Sequence, residues 1–287
     1  MHKGATDIHD HGHEHASSYR SHQRYRKGAK TLTVRAVAGL SGDMMLSGLA
    51  GLAGITQAEL DTLTGEMGVS ALKGAARLEP RSVSGISGLG CRITLPHEHE
   101  HRNFAAIEKI ISASAMPEEA KTLSIKAFSL LAEAEAAVHD MTPDQVSFHE
   151  VGALDSILDI CMVCRLFTVI KPEYFICSPI PLADGTIVCA HGYLPSPAPA
   201  VLRLLEGVPV RGFAGEGETV TPTALSLLKA LGADFGPWPE MTVQKALISY
   251  GSKVFANAPN GAVWALGEGK HRRRSRRAGR LHSGFGC

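Results

Sequence analysis

The stretch that most constrains the fold is residues 148–160, FHEVGALDSILDI, which sets acidic side chains into an otherwise apolar helix. Its apolar positions include Leu154 and Leu158, so one side of the helix suits a core. Asp155 and Asp159 are four residues apart, and side chains at that spacing share one face of a helix. A carboxylate held against a core needs a cation or a hydrogen-bond donor opposite it. The stretch therefore predicts a polar site against a packed helix, and a metal ion would satisfy it.

Strand-like and helix-like patterns alternate along the rest of the chain. Residues 32–37 favour a buried strand, which a glycine turn joins to a helix beginning near Met44. Further helices are predicted at 57–67, 104–139 with a break at Met116-Pro117, 154–169 and 222–231, and strands at 76–95, 174–181, 186–190, 208–211, 243–250 and 262–266. This order predicts an α/β or α+β fold, with a mixed sheet, packed helices and a helical hairpin.

Composition divides the chain into three parts. With 44% hydrophobic and 20% charged residues, 287 residues can bury one sizeable core or two smaller ones. Residues 1–30 are His-rich without apolar periodicity, and we expect a disordered arm. Residues 31–267 carry 16 Lys and Arg against 24 Asp and Glu, a balance that suits a cation-handling protein. Residues 268–287 are rich in arginine without interleaved aromatic residues, so we expect a disordered tail rather than a nucleic-acid site.

Neither a membrane span nor a signal peptide is predicted, because no run of 18 apolar residues occurs and the first thirty residues lack an apolar segment. We therefore expect a cytoplasmic protein. The six cysteines are scattered, which indicates reduced thiols. Cys161 and Cys164 match Cys-x-x-Cys, but their apolar helical surroundings favour core packing over zinc or redox chemistry. The oligomeric state stays open, homo-oligomers included.

A histidine cluster at His97, His99 and His101 directly follows a predicted strand. Imidazole suits nickel, zinc and copper, and the glutamates between these histidines add negative charge. Two interpretations stay open, a metal-binding loop and a solvated polar loop. The histidines within residues 9–15 are either an accessory metal-scavenging arm or an incidental polar extension.

Further candidates stand at predicted junctions between strands and helices. His149 and Glu150 precede a glycine and a helix start, where side chains are exposed and backbone N–H groups attract anions. Asp155 extends this polar face or is simply a charge at a helix end. His191 follows a strand and precedes a proline-rich turn that would hold its ring in place, and a structural role is the alternative.

Two helix starts offer further polar groups. Asp43 lies in a Gly-Asp-Met turn, where it either caps the helix or binds a cation. Thr221 and Thr223 flank a proline at a helix start after two glycines. Their hydroxyls cap the helix, or they hold the phosphate of a mononucleotide together with the helix N-terminus.

Five stretches, taken in order, resemble the LarC family, the nickel insertion proteins that complete the nickel-pincer nucleotide cofactor of lactate racemase. They are residues 39–44 (GLSGDM), 97–101 (HEHEH), 148–160 as above, 189–200 (CAHGYLPSPAPA) and 217–223 (GETVTPT). The resemblance implies insertion of Ni(II) into pyridinium-3,5-bisthiocarboxylic acid mononucleotide, with nickel–sulfur and nickel–carbon bonds formed and CTP consumed. That is the chemistry of a lyase-class nickel insertase.

The residue roles follow from the candidates and the resemblance together. The candidate ligands of Ni(II) are Asp43, His97, His99, His101, Asp155 and His191. His149 or Glu150 is the candidate base that removes the ring proton. Thr221 and Thr223 are the candidate contacts to the mononucleotide.

The chain departs from the family in two places. Arg35 stands in the first strand where the family usually has an acidic residue. The family's C-terminal domain, which binds CTP with Mg(II) or Mn(II), is not recognisable after Gly267. We therefore expect a truncated, N-terminal part of such a protein. The alternatives are a non-catalytic nickel metallochaperone or fragment acting with a separate C-terminal polypeptide, and a metal-dependent phosphohydrolase.

Overall fold

A seven-stranded mixed sheet runs through the protein, and the helices packed on it complete one hydrophobic core. The computed structural model describes residues 26–95, 102–148, 152–189, 192–256 and 258–270. The strands are β1 (Lys30–Ala36), β2 (Ala76–Val83), β3 (Ile86–Ile93), β4 (Arg102–Asn103), β5 (Ser147–Phe148), β6 (Tyr174–Cys177), β7 (Ile180–Asp184), β8 (Thr186–Cys189), β9 (Gly192–Pro195), β10 (Val210–Glu216), β11 (Asp234–Phe235), β12 (Met241–Ser249) and β13 (Ala262–Gly269). The helices are α1 (Gly42–Ala53), α2 (Gln57–Gly65), α3 (Phe104–Ala113), α4 (Glu118–His139), α5 (Leu154–Ile170), α6 (Pro199–Leu204) and α7 (Pro222–Ala230).

The large sheet has the order β11-β6-β1-β13-β12-β3-β2. Strand β1 runs parallel to β6 and antiparallel to β13, and β12 runs parallel to β3. Three two-stranded pairs, β10 with β7, β4 with β5 and β8 with β9, stand beside it. The expected α/β fold with a mixed sheet and packed helices is therefore confirmed.

The first strand shows how the sequence specifies this sheet. Leu32 and Val34 belong to the hydrophobic core and alternate with threonines. Thr33 is also fully buried, and its hydroxyl donates a hydrogen bond of 3.0 Å to the Ile176 carbonyl of the neighbouring β6. Both faces of β1 are thus buried, and the buried strand predicted at 32–37 is confirmed.

Helix α1 packs closely on the sheet because of Gly48. A methyl group at this position would overlap the indole of Trp264, which is fully buried in β13. The indole Nε1 donates a hydrogen bond of 2.8 Å to Ser249 Oγ, so its one polar atom is satisfied inside the core. The glycine therefore sets the distance between α1 and the sheet.

Helix α5 is buried along most of its length, and α1, α4 and α7 pack around it. Cys161 and Cys164 are both fully buried as free thiols. Their predicted packing role is confirmed. Helices α3 and α4 form the predicted hairpin, with the break at Pro117. Within the described ranges, none of the helices combines the length and the apolar character that crossing a membrane requires.

Two of the predicted strand boundaries were wrong. The run at 174–181 forms two strands, because Ile180 N donates to the Pro209 carbonyl and carries β7 away from the large sheet to pair with β10. Strand β10 in turn extends to Glu216, whereas the predicted strand ended at residue 211.

Candidate functional site

A first cavity, of about 290 Å³, opens where α1 and α7 begin. The segments before the two helices are joined by a parallel bridge between Leu40 and Val220. In it, Leu40 N donates to Thr219 O at 2.9 Å and Thr221 N donates to Leu40 O at 3.2 Å. The first residues of both helices line the cavity, so two helix N-termini contribute their partial positive charge to one space.

The bridge requires a glycine at position 39. Gly39 has a φ of 146°, and a Cβ there would overlap the carbonyl oxygen of Thr219. No other residue type allows this approach of two backbones. The Gly-Leu-Ser-Gly-Asp-Met turn therefore builds one wall of the cavity.

Two carboxylates, Asp43 of α1 and Asp159 of α5, lie side by side in this wall and are called the carboxylate pair below. A Cβ at Gly42 would overlap the Asp159 carboxylate, which shows how closely α5 approaches the start of α1. The Oδ1 atom of Asp159 is buried and, among the described residues, accepts no hydrogen bond. A buried carboxylate oxygen without a donor leaves a place for a cation or for a ligand that carries a proton.

Burial raises the pKa of Asp159 well above its ordinary value, and the charges of Asp43 and then Asp155 raise it further. Burial also raises the pKa of Asp43, although the hydrogen bond that the Ser41 hydroxyl donates to Asp43 Oδ1 opposes the shift. The pair therefore holds protons more tightly than free carboxylates do, and a bound cation would displace them.

The carboxylate pair also lines a second cavity, of about 520 Å³. Asp155 and Cys91 line it together with Asp43 and Asp159. Burial raises the pKa of Cys91 to about 12, and the charges of Asp159 and Asp43 add to this effect. Cys91 is therefore a neutral thiol at neutral pH, and only a metal ion would draw it into thiolate chemistry.

The structure brings four of the predicted site residues together around these cavities. Asp43 and Asp155 line the second cavity, while Thr221 and Thr223 line the first with Asp43. The hydroxyl of Thr221 accepts a hydrogen bond of 3.2 Å from Ala224 N, so it caps α7. Helix capping was one of the two roles expected for this hydroxyl. Thr223 is buried at the same helix start.

The other predicted site residues lie outside the described residues. They are His97, His99, His101, His149, Glu150 and His191. In the parts of the chain that the structure describes, no three His, Cys, Asp or Glu side chains are arranged to hold a metal ion.

Sequence reasoning missed Lys253 and the loop around it. Lys253 Nζ donates hydrogen bonds to the carbonyls of Glu216 and Glu218, at 2.9 and 3.0 Å, and lies 4.6 Å from the centroid of the Phe255 ring. Among the described residues that line the first cavity, Lys253 is the one with a cationic side chain. The loop joins β12 to β13, and no local pattern distinguishes it, because its position beside α7 comes from the tertiary fold.

The sequence model of one protein family, described as nickel insertion protein, matches residues 32–278. The chain belongs to this nickel insertion protein family. The matched range contains the carboxylate pair and both cavities, and the resemblance expected from the five stretches is confirmed.

Relatives within the family carry more specific names. Pyridinium-3,5-bisthiocarboxylic acid mononucleotide nickel insertion proteins of Staphylococcus epidermidis and a Nocardioides species are 36% and 35% identical over 231 and 230 residues, which is 80% of this chain and 58% of each relative. A protein of Geotalea daltonii named for nickel insertion is 37% identical over 239 residues, 83% of this chain and 61% of its own. This chain thus spans about three fifths of the length of these relatives. No solved structure matches it.

Proposed function

We propose that this chain takes part in the insertion of Ni(II) into pyridinium-3,5-bisthiocarboxylic acid mononucleotide, and that the carboxylate pair receives the ion. The observation that carries the proposal is the buried Oδ1 of Asp159, which has no hydrogen-bond donor among the described residues and lies beside a second carboxylate. Membership of the nickel insertion protein family supports nickel as the cation, and two relatives named for nickel insertion into this mononucleotide support it as the acceptor. Nickel is here a substrate in transit.

The chemistry of the pair suits such a transit. Carboxylate oxygens are hard ligands, whereas the thiocarboxylate sulfurs of the acceptor are soft and hold nickel more strongly. Because the pKa of Cys91 is raised to about 12, nickel would have to displace a tightly held proton before this thiol could bind it, so the carboxylates would receive the ion first. We infer that the predicted histidines His97, His99, His101 and His191, with Asp155, complete the transient coordination.

The nucleotide end of the acceptor fits the opposite wall of the first cavity. At the N-terminus of α7, the backbone N–H of Thr223 and the hydroxyls of Thr221 and Thr223 would contact a phosphate, since Pro222 has no N–H and Ala224 N donates to the Thr221 hydroxyl. Lys253 adds a positive charge nearby. In this arrangement the phosphate lies away from the carboxylates and the pyridinium ring lies towards them. The ring would then be presented to the nickel ion.

Formation of the nickel–carbon bond releases the ring proton. The C–H bond breaks as the carbon bonds to nickel, and the proton leaves to a base. His149 or Glu150 is our candidate for this base, because both directly precede the helix that carries Asp155 and Asp159. The product would be the nickel-pincer cofactor of lactate racemase. CTP and Mg(II) or Mn(II) would act through a C-terminal domain or a separate polypeptide.

The test measures Ni(II) binding by calorimetry in the parent chain and in Asp159→Asn. We expect the affinity for Ni(II) to fall by at least about tenfold, because a hydrogen bond or ligand to a charged group contributes roughly 1.5–3 kcal/mol. Asp144→Asn is the matched control, since Asp144 is exposed and outside both cavities. Equal affinity in the two variants would remove the carboxylate pair from the proposal.

A nickel carrier is the second candidate function. The described ligands are two carboxylates and no ready thiolate, which favours an ion that is held loosely and handed over. Mass spectrometry of the mononucleotide incubated with chain, Ni(II), CTP and Mg(II) separates the two functions. Replacement of one hydrogen by nickel supports an insertase, whereas transfer that begins only when a C-terminal polypeptide is added supports a carrier.

A further inference from the structure

Two arginines meet at the carboxyl end of β1, outside both cavities. Arg35 of β1 donates from Nη1 to the Gly236 carbonyl at 2.8 Å. Arg211 of β10 donates from Nη2 to the carbonyls of Ala36 and Val37, at 3.1 and 2.5 Å. These bonds to backbone fix the two guanidinium groups, which we call the arginine pair, beside the loop that follows β1.

The arginine pair has no counterion. In the described parts of the chain, neither guanidinium has a carboxylate within 4.0 Å. Several of their N–H groups also donate no hydrogen bond there, namely both Nε atoms, Nη2 of Arg35 and Nη1 of Arg211. Burial lowers the pKa of Arg35; the Cys177 thiol opposes this shift, and repulsion from the charge of Arg211 adds to it. Arginine stays charged in proteins, so this repulsion is not relieved by loss of a proton.

An aromatic side chain completes the arrangement. The guanidinium of Arg35 lies 5.6 Å from the centroid of the Trp238 ring, and this contact holds the indole beside the arginine pair. Trp238 is 50% exposed, which is unusual for the largest apolar side chain. The surface thus combines two fixed positive charges, unused N–H donors and a free aromatic edge.

We propose that Arg35, Arg211 and Trp238 form a binding site for a phosphate group, separate from the nickel and mononucleotide cavity. Two guanidinium groups carry two positive charges and several free donors, which match a dianionic phosphate with three acceptor oxygens. A carboxylate carries one charge, and a single arginine would satisfy it. The free part of the Trp238 indole would contact a planar ring if the phosphate belongs to a nucleotide. This site does not depend on the proposed nickel chemistry.

The chain carries its own reporter of this site. It has two tryptophans, of which Trp264 is fully buried and Trp238 is half-exposed. Fluorescence is therefore titrated with inorganic phosphate, inorganic pyrophosphate and ATP at constant ionic strength. We expect a saturable change that Trp238→Phe abolishes. If pyrophosphate matches ATP, the phosphate alone is recognised, and if ATP binds more tightly, the ring contacts Trp238.

Charge variants assign the binding to the arginine pair. Arg35→Gln and Arg211→Gln should each weaken the apparent affinity by about tenfold or more, since each removes hydrogen bonds to a charged group. Arg203→Gln is the matched control, because Arg203 is an exposed arginine of α6 whose partner is Glu206. Lys253→Gln controls for phosphate bound in the first cavity and should leave the Trp238 response intact. Equal affinity in all four variants would overturn the proposal.

A measurement on the unchanged chain guards against a variant that fails to fold. Iodide is an anionic quencher and acrylamide a neutral one. Quenching by acrylamide measures how accessible Trp238 is to a neutral molecule. We expect iodide to quench Trp238 more strongly than this accessibility predicts, and we expect pyrophosphate to remove the additional quenching. If iodide shows no excess, or pyrophosphate leaves it unchanged, no anion site exists beside Trp238 and the proposal fails.

Discussion

The carboxylate pair and the arginine pair are opposite in charge but share one structural property. In each, two like charges stand together and form no ion pair with a described residue, although the charge of Arg81 partly offsets that of Asp43. They differ in how the repulsion can be relieved. The carboxylates can take up a proton, because their pKa values are raised, whereas the guanidinium groups keep their charge at all ordinary pH values. The carboxylate pair is therefore sensitive to both pH and cations, and the arginine pair responds only to anions.

The loop between β1 and α1 connects the arginine pair with the carboxylate pair, and the substitution Gly39→Ala should distort both sites. An added methyl group would overlap the Thr219 carbonyl, and Gly39 has a positive φ. We expect the free energy of unfolding to fall by about 3 kcal/mol or more, from overpacking and backbone strain together. Chemical denaturation measures it. Gly212→Ala is the control, because space surrounds that position, and a similar loss there would refute the explanation.

Asp159→Asn should act in the opposite direction. Removing a buried charge without a donor should raise the free energy of unfolding at pH 7 by about 1–3 kcal/mol, even as Ni(II) binding weakens. Denaturation in the absence and presence of Ni(II) measures both effects. If the variant is less stable than the parent in the absence of metal, Asp159 has a stabilising partner and the comparison of the two pairs fails.

The pH dependence of stability should distinguish the pairs. The folded pKa values of Asp43 and Asp159 are raised above those of the unfolded chain, so the folded state binds more protons. Stability should therefore rise as the pH falls from neutral towards the ordinary carboxylate pKa. Thermal unfolding between pH 7 and pH 5 measures the slope. The double variant Asp43→Asn/Asp159→Asn should lose this contribution, and Arg35→Gln should retain it.

Arg35→Gln should change stability by less than about 1 kcal/mol, because the loss of a hydrogen bond to Gly236 and the loss of repulsion nearly cancel. The more telling result is the effect of pyrophosphate. It should raise the melting temperature of the parent chain and leave that of Arg35→Gln almost unchanged. If pyrophosphate shifts the melting temperature of the parent chain and of Arg35→Gln equally, it binds at a site other than the arginine pair.

Replacement of His97, His99 and His101 by alanine should have the smallest effect on stability, since we expect a polar loop there. The prediction concerns nickel, whose binding stoichiometry by calorimetry should fall while the melting temperature stays within about 1 °C. Unchanged stoichiometry would remove this loop from the ligand set and leave the carboxylate pair as the entry point for the ion.

Local patterns predicted most of the elements, because the alternation in β1 and the spacing of apolar residues in α5 are properties of neighbouring residues. They did not predict that Asp43 and Asp159, which are 116 positions apart, line the same cavities, because this happens only when α5 packs on α1. Cys91 and Lys253 were missed because their strand and loop carry no motif, and only the tertiary fold brings them to the cavities.

The position of β1 has a consequence for how the chain folds during its synthesis. This strand is made first but lies inside the sheet, between β6 and β13, whose residues begin more than 140 and 230 positions later. While the ribosome adds those residues, the hydrogen-bonding edges of β1 have no native partner, and an apolar strand in that state is prone to pair with other chains. Such non-local pairing also slows folding. The emerging N-terminal segment is therefore the part of this protein with the greatest need of a chaperone.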